Sequence, residues 1–314
     1  MDVKPQETDA SSKLNRREFM AAVTALPAAA ALASAASAER ILDIHQHTDY
    51  DGRSNEQLVA HQAYHHVTTT VLLPGAGWMD RELGGNASCA KAQAQYPNLF
   101  VRFACSDVAE SRTEDVLRGN IRRGAIGFGE LKFHVAVDSP EMHRVYKLAQ
   151  ELKVPVLLHF QQEMYNTGIE RFESILKAYP EVNFIGHAQT WWAHISADLD
   201  PMVLYPTGPV KPGGLTDRLL SDYANLYGDL SAGSGANALT RDPEFAQGFL
   251  DRHHRKLLWG SDCTCRDGKG TGASDNSCIA TQSLTALRKL VPDAGKLHRI
   301  LYQNGADLYH LSRS

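Results

Sequence analysis

The sequence predicts an α/β protein built as a (β/α)8 TIM barrel with a metal site at the C-terminal ends of its strands. Two observations lead to the barrel: short apolar, β-branched segments recur from residue 40 onward, and amphipathic helical patterns separate them. Strands that alternate with helices form parallel sheets, and eight such units suit a chain of 314 residues. A doubly wound open sheet is the alternative, but no Gly-rich dinucleotide motif follows the first strand.

The predicted elements occupy residues 39–314, which we expect to form a single domain. The strands, in chain order, are Arg40–His47, Thr68–Pro74, Leu99–Ser106, Ala125–His134, Val154–Phe160, Val182–His187, Leu226–Ala232 and Leu257–Asp262. The clearest helical patterns are Asp115–Arg123, Ser139–Leu152, Ile169–Tyr179, Pro243–His253 and a long last helix over Lys296–Leu311.

Residues 1–38 differ from the rest and resemble a twin-arginine signal peptide. Arg16 and Arg17 precede Phe19, a weakly apolar Ala-rich run follows, and Ala36-Ser37-Ala38 is a small-residue cleavage site. An Ala-rich helix of the folded domain is the alternative. The pattern predicts a precursor recognised by the twin-arginine export machinery and a mature protein in the periplasm or outside the cell.

Charge and hydropathy narrow the classes of partner. The net charge is −4 and no basic run is present, so we expect no nucleic-acid partner. The mature chain contains no stretch of twenty apolar residues, so we expect no membrane span there. A small-molecule substrate is the expected partner, and the sequence leaves a homo-oligomer open.

Metal-ligating side chains recur at the ends of predicted strands. His45 and His47 share one face of the first strand because residues two apart point the same way. His159, His187 and Asp262 end the fifth, sixth and eighth strands. A single histidine in an apolar strand is usually a core residue, but barrel active sites form at these strand ends. The recurrence predicts a divalent metal site, with zinc favoured and manganese or iron as alternatives.

The fourth strand carries Glu130, Lys132 and His134 on one face. An inward carboxylate is costly unless it is paired or bound to a metal. Glu130 is therefore either a bridging ligand to a second metal or a counter-charge for Lys132. The metal count, one or two ions, stays open at this point.

The ordered motifs resemble the amidohydrolase superfamily. They are His45-x-His47, His159, His187 and Gly260-Ser261-Asp262, and the closing segment Ile300–Tyr309 is similar to the last helix of the amidohydrolase-related branch. That branch includes aminocarboxymuconate-semialdehyde decarboxylase, lactonases and hydratases, and the resemblance spans Ile41 to Leu311. It implies that His45, His47, His159 and Asp262 bind metal, with Glu130 and His187 as further ligand candidates. Decarboxylase-type members lack a Glu on the fourth strand, whereas binuclear TatD-like nucleases have one.

The resemblance implies a metal-dependent hydrolase that attacks a carbonyl ester, lactone or amide-type bond with a metal-bound hydroxide. In this mechanism Asp262 moves the proton and His187 stabilises the developing oxyanion. Non-oxidative decarboxylation or hydration of a small unsaturated or aromatic acid is the alternative, and a non-catalytic binding protein would be marked by a missing ligand. The predicted pocket residues are Lys132, Trp191, Trp192 and Arg53, with plain packing as the alternative for the two tryptophans.

Cysteines and further histidines complete the reactive residues. The chain has five cysteines, and Cys265 and Cys278 flank a Gly/Ser-rich loop that a disulfide between them would close. Cys263-x-Cys265 next to Asp262 makes a thiolate metal site the alternative. The first helical pattern carries three histidines that we expect on a solvated face: His61, His65 and His66.

The signal-peptide prediction can be tested by cell fractionation. Changing Arg16→Lys and Arg17→Lys together should leave the precursor in the cytoplasm, because the charge is kept while both guanidinium groups of the motif are removed. A Lys13→Arg variant alters another basic residue of the same segment and should be exported and cleaved after Ala38. Export of the double variant at the wild-type level would refute the twin-arginine interpretation.

Overall fold

The structure is a computed structural model that describes residues 39–311, besides Met1. The predicted signal peptide, including Arg16 and Arg17, lies outside the described residues. All the elements and site residues discussed below belong to the unit that begins at Arg40.

Eight parallel strands form the centre of this unit, in the order in which the sequence predicts them. They are β1 to β8: Ile41–Gln46, Val67–Leu72, Phe100–Arg102, Phe128–Leu131, Val156–His159, Phe184–His187, Leu226–Asp229 and Leu257–Leu258. Each strand pairs with the next along the chain within two sheets, β1-β2-β3 and β4-β5-β6-β7-β8. Every pairing within the sheets is parallel.

Main-chain hydrogen bonds join the two sheets at both seams. Ala104 N donates to Gly127 O at 2.8 Å beside β4, and Ile44 N donates to Trp259 O at 3.2 Å where β8 meets β1. At these two seams, β3–β4 and β8–β1, the main-chain hydrogen bonds between the strands are interrupted and do not form a continuous ladder. The predicted α/β architecture of parallel strands alternating with helices is confirmed, and the interruptions show that this barrel is not a fully closed sheet.

Helices follow the strands and cover their outer face. They are α1 to α13: Asn55–Tyr64, Asp80–Leu83, Asn86–Gln95, Thr113–Arg122, Pro140–Leu152, Phe172–Ala178, Gln189–Ala193, Leu215–Asp222, Ala232–Thr240, Pro243–His253, Ile279–Leu290, Ala294–His298 and Asn304–Leu308. The described residues contain three short 3-10 turns in addition: Tyr50–Gly52, Gly77–Met79 and Ile169–Arg171.

Local signals set where several helices begin. The Ser54 hydroxyl accepts from Gln57 N, and the Gln57 side chain accepts from Ser54 N, which is a complete capping box at the start of α1. Ser139 and Asp242 cap α5 and α10, and each is followed by a proline in the first turn. These caps place the helix starts directly after the loops that leave the strands.

The last helix differs from its prediction in detail. Residues 294–308 are helical, but a π-helical segment over Arg299–Gln303 separates α12 from α13. Tyr302 and Ala306 pack against Leu42 and Ile44 of β1 in one apolar cluster. This contact buries one face of β1 and directs the alternate residues of the strand into the barrel.

No helix within the described range is long and apolar enough to cross a membrane.

A partly buried ion-pair network between α8 and α10 gives a test of fold stability. Asp217 accepts hydrogen bonds from Arg252 Nη2 at 2.8 Å and His253 Nε2 at 2.6 Å. Burial raises the pKa of Asp217, but the bonds to His253 and Arg252 outweigh burial and hold the pKa below its ordinary value of 3.8. The ionised form is therefore the one that the folded state stabilises.

We expect Asp217→Asn to lower the free energy of unfolding by about 1 kcal/mol at neutral pH. Because the folded-state pKa is depressed, this contribution is present above about pH 4 and is lost as the pH falls through the folded-state pKa. Urea unfolding at several pH values measures it. Asp222→Asn is the control, since Asp222 is exposed and lies 3.6 Å from its partner Arg218. An Asp217→Asn effect that does not shrink in acid would contradict this account.

Candidate metal centre

The structure brings together all six predicted ligand candidates at one rim of the barrel. They lie in or just after five different strands, at the carboxyl end: His45, His47, Glu130, His159, His187 and Asp262. Five of them are buried, and the Asp262 side chain is 11% exposed. Parallel strands point their carboxyl ends the same way, so residues distant in sequence meet there.

Asp262 faces the two histidines at the end of β1, His45 and His47. Its Oδ1 lies 3.7 Å from His45 Nε2 and 3.5 Å from His47 Nε2. Ligand atoms of a tetrahedral ion with bonds of about 2.0–2.2 Å are about 3.4 Å apart, which is close to these spacings. Asp262 also has a positive φ of 46°, a backbone conformation that few non-glycine residues adopt.

Glu130 lies between two pairs of histidines. Its Oε2 is 3.8 Å from His45 Nε2 and 3.7 Å from His47 Nε2. Its Oε1 is 3.5 Å from His187 Nε2 and makes a close contact with His159 Nδ1. One oxygen therefore faces each pair, and a second ion beside Oε1 would have to replace its direct hydrogen bond with His159 Nδ1. Glu130 accordingly belongs to two of the ligand groups that could hold an ion: His45, His47 and Glu130, and Glu130, His159 and His187.

Two buried atoms in this cluster have no hydrogen-bond partner among the described residues: His45 Nε2 and Asp262 Oδ1. Leaving a buried polar atom unpaired costs about 1–3 kcal/mol, so two such atoms within one cluster of metal-ligating side chains call for a partner. A divalent cation would satisfy both atoms at once. The residues present thus fit a metal ion, both in donor chemistry and in spacing.

Residues behind the histidines fix which nitrogen faces the centre. His45 Nδ1 lies 2.7 Å from Asp229 Oδ2, and His47 Nδ1 lies 2.7 Å from the Leu73 carbonyl. Both contacts require a proton on Nδ1, which leaves each Nε2 with a lone pair for an ion. Ser231 Oγ contacts Asp229 Oδ2 at 2.9 Å and approaches His187 Nδ1 at 3.1 Å, so one small network orients two histidines.

Close packing at Gly260 allows this network to form. A Cβ at this position would lie 2.9 Å from His45 Cβ and 3.1 Å from Asp229 Oδ1. Real Cβ contacts are seldom so short, so any larger residue would displace the His45–Asp229 pair. The Gly-Ser-Asp run after β8 therefore serves the site in two ways, through the space at Gly260 and the carboxylate of Asp262.

The site has an excess of negative charge. Burial lowers the pKa of the His45 imidazole, but three carboxylates outweigh burial and raise it to about 10. These carboxylates belong to Asp262, Asp229 and Glu130. For His47 burial prevails and lowers the pKa to about 4, so this ligand is neutral at physiological pH. A cation in the centre would replace the proton that the carboxylates otherwise draw to His45.

Glu130 is ionised in this setting. Burial raises its pKa, yet the nearby His159, His45 and Lys132 together hold the pKa well below its ordinary range. Burial lowers the pKa of His159 and keeps that ring neutral. An anionic carboxylate beside a neutral imidazole is the protonation state that metal binding requires.

The predicted pocket roles of the two tryptophans are corrected by the structure. Trp191 and Trp192 are 0% and 2% exposed and belong to the main apolar core. Trp191 stacks near Phe160, and Trp192 Nε1 donates to the Asp229 carbonyl at 2.8 Å. The helix α7 that follows β6 turns both rings outward onto the sheet, so the packing alternative holds.

Arg53 also departs from its predicted pocket role. Its guanidinium is buried and donates to the Cys263 and Cys265 carbonyls at 2.6 and 3.0 Å, and to the His47 carbonyl at 2.9 Å. Main-chain carbonyls take its donors, so Arg53 holds the segment after β1 to the segment after β8. Its role is therefore structural. The turn at Tyr50–Gly52 directs the side chain inward.

Lys132 lies near the site, and its charge lowers the pKa of Glu130 without a direct contact between the two side chains. No ion pair within 4 Å joins the two side chains in the described part of the chain. Instead Lys132 Nζ lies 5.3 Å from the Tyr165 ring centroid and 5.8 Å from that of Trp78. Of the two alternatives for Glu130, its contacts therefore favour the bridging ligand.

Two sequence-based expectations about cysteine and histidine are wrong. Cys278 Sγ lies 3.8 Å from Cys263 Sγ rather than against Cys265, and all five cysteines are free. His61 and His65 are buried and contact Cys278, whereas His66 is exposed as expected. Helix α1 packs this histidine face against the loop after β8, which the spacing of the histidines alone does not show.

Comparison with known proteins supports the fold. A scan against protein-family models and a search of curated proteins find no match. Solved structures do match, and one is an uncharacterised TIM-barrel protein from Bordetella bronchiseptica with a TM-score of 0.61 and 13% identity, covering 86% of this chain and 98% of that one.

Two further structures belong to enzymes. A probable 2-pyrone-4,6-dicarboxylic acid hydrolase from Acinetobacter baumannii, with citric acid bound, has a TM-score of 0.58 and 16% identity and covers 86% of this chain and 99% of its own. A dihydroxybenzoic acid decarboxylase from Polaromonas sp. JS666, with manganese and 2-nitroresorcinol bound, has a TM-score of 0.52 and 12% identity over 88% and 98% of the two chains. These likenesses show the TIM-barrel fold that the resemblance implied.

The metal count gives a direct test of Glu130. We expect Glu130→Gln to hold about one metal ion per chain fewer than the wild type, because a neutral amide cannot bridge two cations. Elemental analysis of both purified proteins measures the difference. Glu151→Gln changes an exposed glutamate and should leave the metal content unchanged. Equal metal content in the wild type and Glu130→Gln would contradict a bridging role.

Proposed function

We propose that this protein is a metal-dependent hydrolase that cleaves a carbonyl ester, lactone or amide-type bond of a small molecule. The observation that carries the proposal is the position of Glu130, with one oxygen toward His45 and His47 and the other toward His159 and His187. Asp262, with an unpaired Oδ1, completes the set. This arrangement suits an enzyme that activates water beside a polarised carbonyl.

The ligand set suggests how metal would be held. His45, His47, Asp262 and one Glu130 oxygen would hold the first ion, and the other Glu130 oxygen with His159 and His187 would hold a second. Mixed imidazole and carboxylate ligands suit zinc, with manganese and iron as alternatives. A divalent ion here supplies Lewis acidity both to water and to a substrate carbonyl.

Asp262 is placed to move protons. Its side chain is the most exposed of the six, and it forms a hydrogen bond with Tyr50. The charge of Asp262, together with burial, raises the pKa of Tyr50 well above its ordinary value, so the hydroxyl remains a donor. Asp262 would take a proton from the attacking water and return it to the leaving group.

His187 Nε2 would either stabilise the charge on the reacting oxygen or bind the second ion. Its Nε2 lies between Glu130 Oε1 at 3.5 Å and Asp262 Oδ2 at 3.8 Å, and its Nδ1 is held by Ser231. A ring fixed in this way needs no reorganisation during the reaction, which is what electrostatic stabilisation requires. With two ions bound, His187 would be a ligand of the second.

Decarboxylation of a small aromatic or unsaturated acid is the second candidate. The observation that favours it is Lys132, a cation near the rim that pairs with aromatic rings and not with Glu130. Such a group could bind a substrate carboxylate. One structural neighbour is an aromatic acid decarboxylase, and another is a hydrolase of a dicarboxylic acid. An acidic substrate is therefore compatible with both reactions.

Turnover in water labelled with oxygen-18 separates the two reactions. A substrate is first found by screening lactones, amides and aromatic acids against the metal-loaded protein. Hydrolysis must place the label in the product, because the oxygen of water attacks the carbonyl carbon, and mass spectrometry of the product detects it. Asp262→Asn should lower kcat by about 100-fold or more, since the proton carrier is lost. Unlabelled product with stoichiometric CO2 would refute hydrolysis and support the decarboxylase.

A further inference from the structure

A second cluster of metal-binding side chains lies outside the centre described above. It is formed by His61 of α1, by Cys263 and Cys265 in the loop after β8, and by Cys278 at the start of α11. One ligand atom from each residue lies within 4.8 Å of those of the other three, and all four residues are buried. We call this group the cysteine cluster.

Two spacings within the cysteine cluster match the edges of a tetrahedral thiolate site. Cys263 Sγ and Cys278 Sγ are 3.8 Å apart, and His61 Nε2 lies 3.5 Å from Cys278 Sγ. With Zn–S bonds of about 2.3 Å and Zn–N bonds of about 2.0–2.1 Å, the corresponding edges of a tetrahedron are about 3.8 and about 3.6 Å. Three sulfurs and one imidazole nitrogen are also one of the common donor sets of structural zinc.

Neighbouring groups hold the ligands in position. His61 Nδ1 lies 3.2 Å from Gln62 Oε1, so Nε2 is the nitrogen that faces the sulfurs. The Gly270 amide donates to Cys265 Sγ at 3.0 Å, a contact that stabilises a thiolate. His65 Nε2 lies 3.3 Å from Cys278 Sγ and can donate to the same sulfur. Orienting contacts of this kind accompany bound metal ligands.

We propose that the cysteine cluster is a structural zinc site of the Cys3His type, formed by His61, Cys263, Cys265 and Cys278. Binding would release the protons of the three thiols to solvent, since thiolates are the ligands. Four protein ligands fill a tetrahedral zinc ion, so no position remains for water or substrate. The site therefore differs in kind from the candidate metal centre at the strand ends, which we call the rim centre and whose ligands are imidazoles and carboxylates.

The position of the cluster indicates what the zinc would do. It would join α1, which follows the His45-x-His47 strand, to the loop that begins directly after Asp262. Arg53 links the same two segments through the Cys263 and Cys265 carbonyls. The zinc would thus hold the 263–278 loop against the barrel and fix the main chain next to Asp262. This inference does not rest on the proposed hydrolase activity.

Cobalt substitution and metal analysis of the full chain test the site. Protein loaded with Co²⁺ should show thiolate-to-cobalt charge-transfer absorption in the near ultraviolet, which the rim centre cannot produce because it has no sulfur ligand. The double variant His45→Ala and His47→Ala should keep this absorption. Cys265→Ser and Cys278→Ser should lose most of it, together with about one metal ion per chain. Cys89→Ser changes a buried cysteine elsewhere and should match the wild type.

The wild-type protein alone can overturn the proposal, so unfolding of a cysteine variant would not hide the answer. Thiol titration should find the cluster cysteines protected in the native zinc-loaded protein and reactive after chelation. Absence of charge-transfer absorption in the cobalt-loaded wild type would refute the site. A Cys263–Cys278 disulfide found by mass spectrometry of the native protein would refute it as well. A wild-type protein that shows this absorption but hydrolyses none of the screened esters, lactones and amides would count against the rim mechanism and leave the zinc site intact.

Discussion

Buried negative charge at the rim of the barrel is the constraint on which the rest of the site depends. Glu130, Asp229 and Asp262 lie within one small volume, and removing each from water is costly unless an opposite charge compensates it. Without a cation, a proton on His45 supplies part of that charge, which is why the pKa of that ring rises to about 10. A divalent ion would supply it more completely and would use the unpaired atoms of His45 and Asp262.

The barrel satisfies this constraint through strand geometry. On β1, Leu42 and Ile44 pack against the closing helices, and the alternation of the strand turns Asp43 and His45 to the interior. Asp43 accepts hydrogen bonds from Ser261 N and Ser261 Oγ, so the first and last strands are joined just below the ligands. The ligands are therefore carried by rigid strand ends, and the contacts to Asp229 and the Leu73 carbonyl set the ring orientations.

The segment Asp262–Cys265 contributes residues to both clusters of candidate metal ligands. Its first residue belongs to a centre of imidazoles and carboxylates, and its cysteines belong to a cluster with soft sulfur donors. Ligand softness separates metal sites by the ions that they prefer, so the two centres need not compete for the same ion. Because Arg53 and the cysteine cluster both hold this segment, the position of Asp262 depends on contacts well away from the reacting groups.

Much of the fold and of the rim centre follows from local patterns. Strand alternation and the repeated placement of His45, His159, His187 and Asp262 at strand ends are visible in the sequence, since the period of a strand and the rim of a parallel barrel are fixed by backbone geometry. The same logic placed Glu130 on an inward face but left its partner open, because Lys132 shares that face and only three-dimensional distances separate the alternatives.

The remaining features were decided by tertiary packing. Trp191 and Trp192 turn into the core, and Arg53 turns to main-chain carbonyls, because the path of a loop after a strand depends on distant contacts that no local pattern encodes. The helical pattern alone predicts that His61 lies on a solvated face. In the structure α1 packs against the loop after β8, and His61 contacts Cys278 there. The sequence by itself determined the barrel and most of the ligands of its rim, since strand period and strand ends are local properties. Only the tertiary structure decided what Glu130 contacts and which cysteines are neighbours, since those depend on elements far apart in the chain.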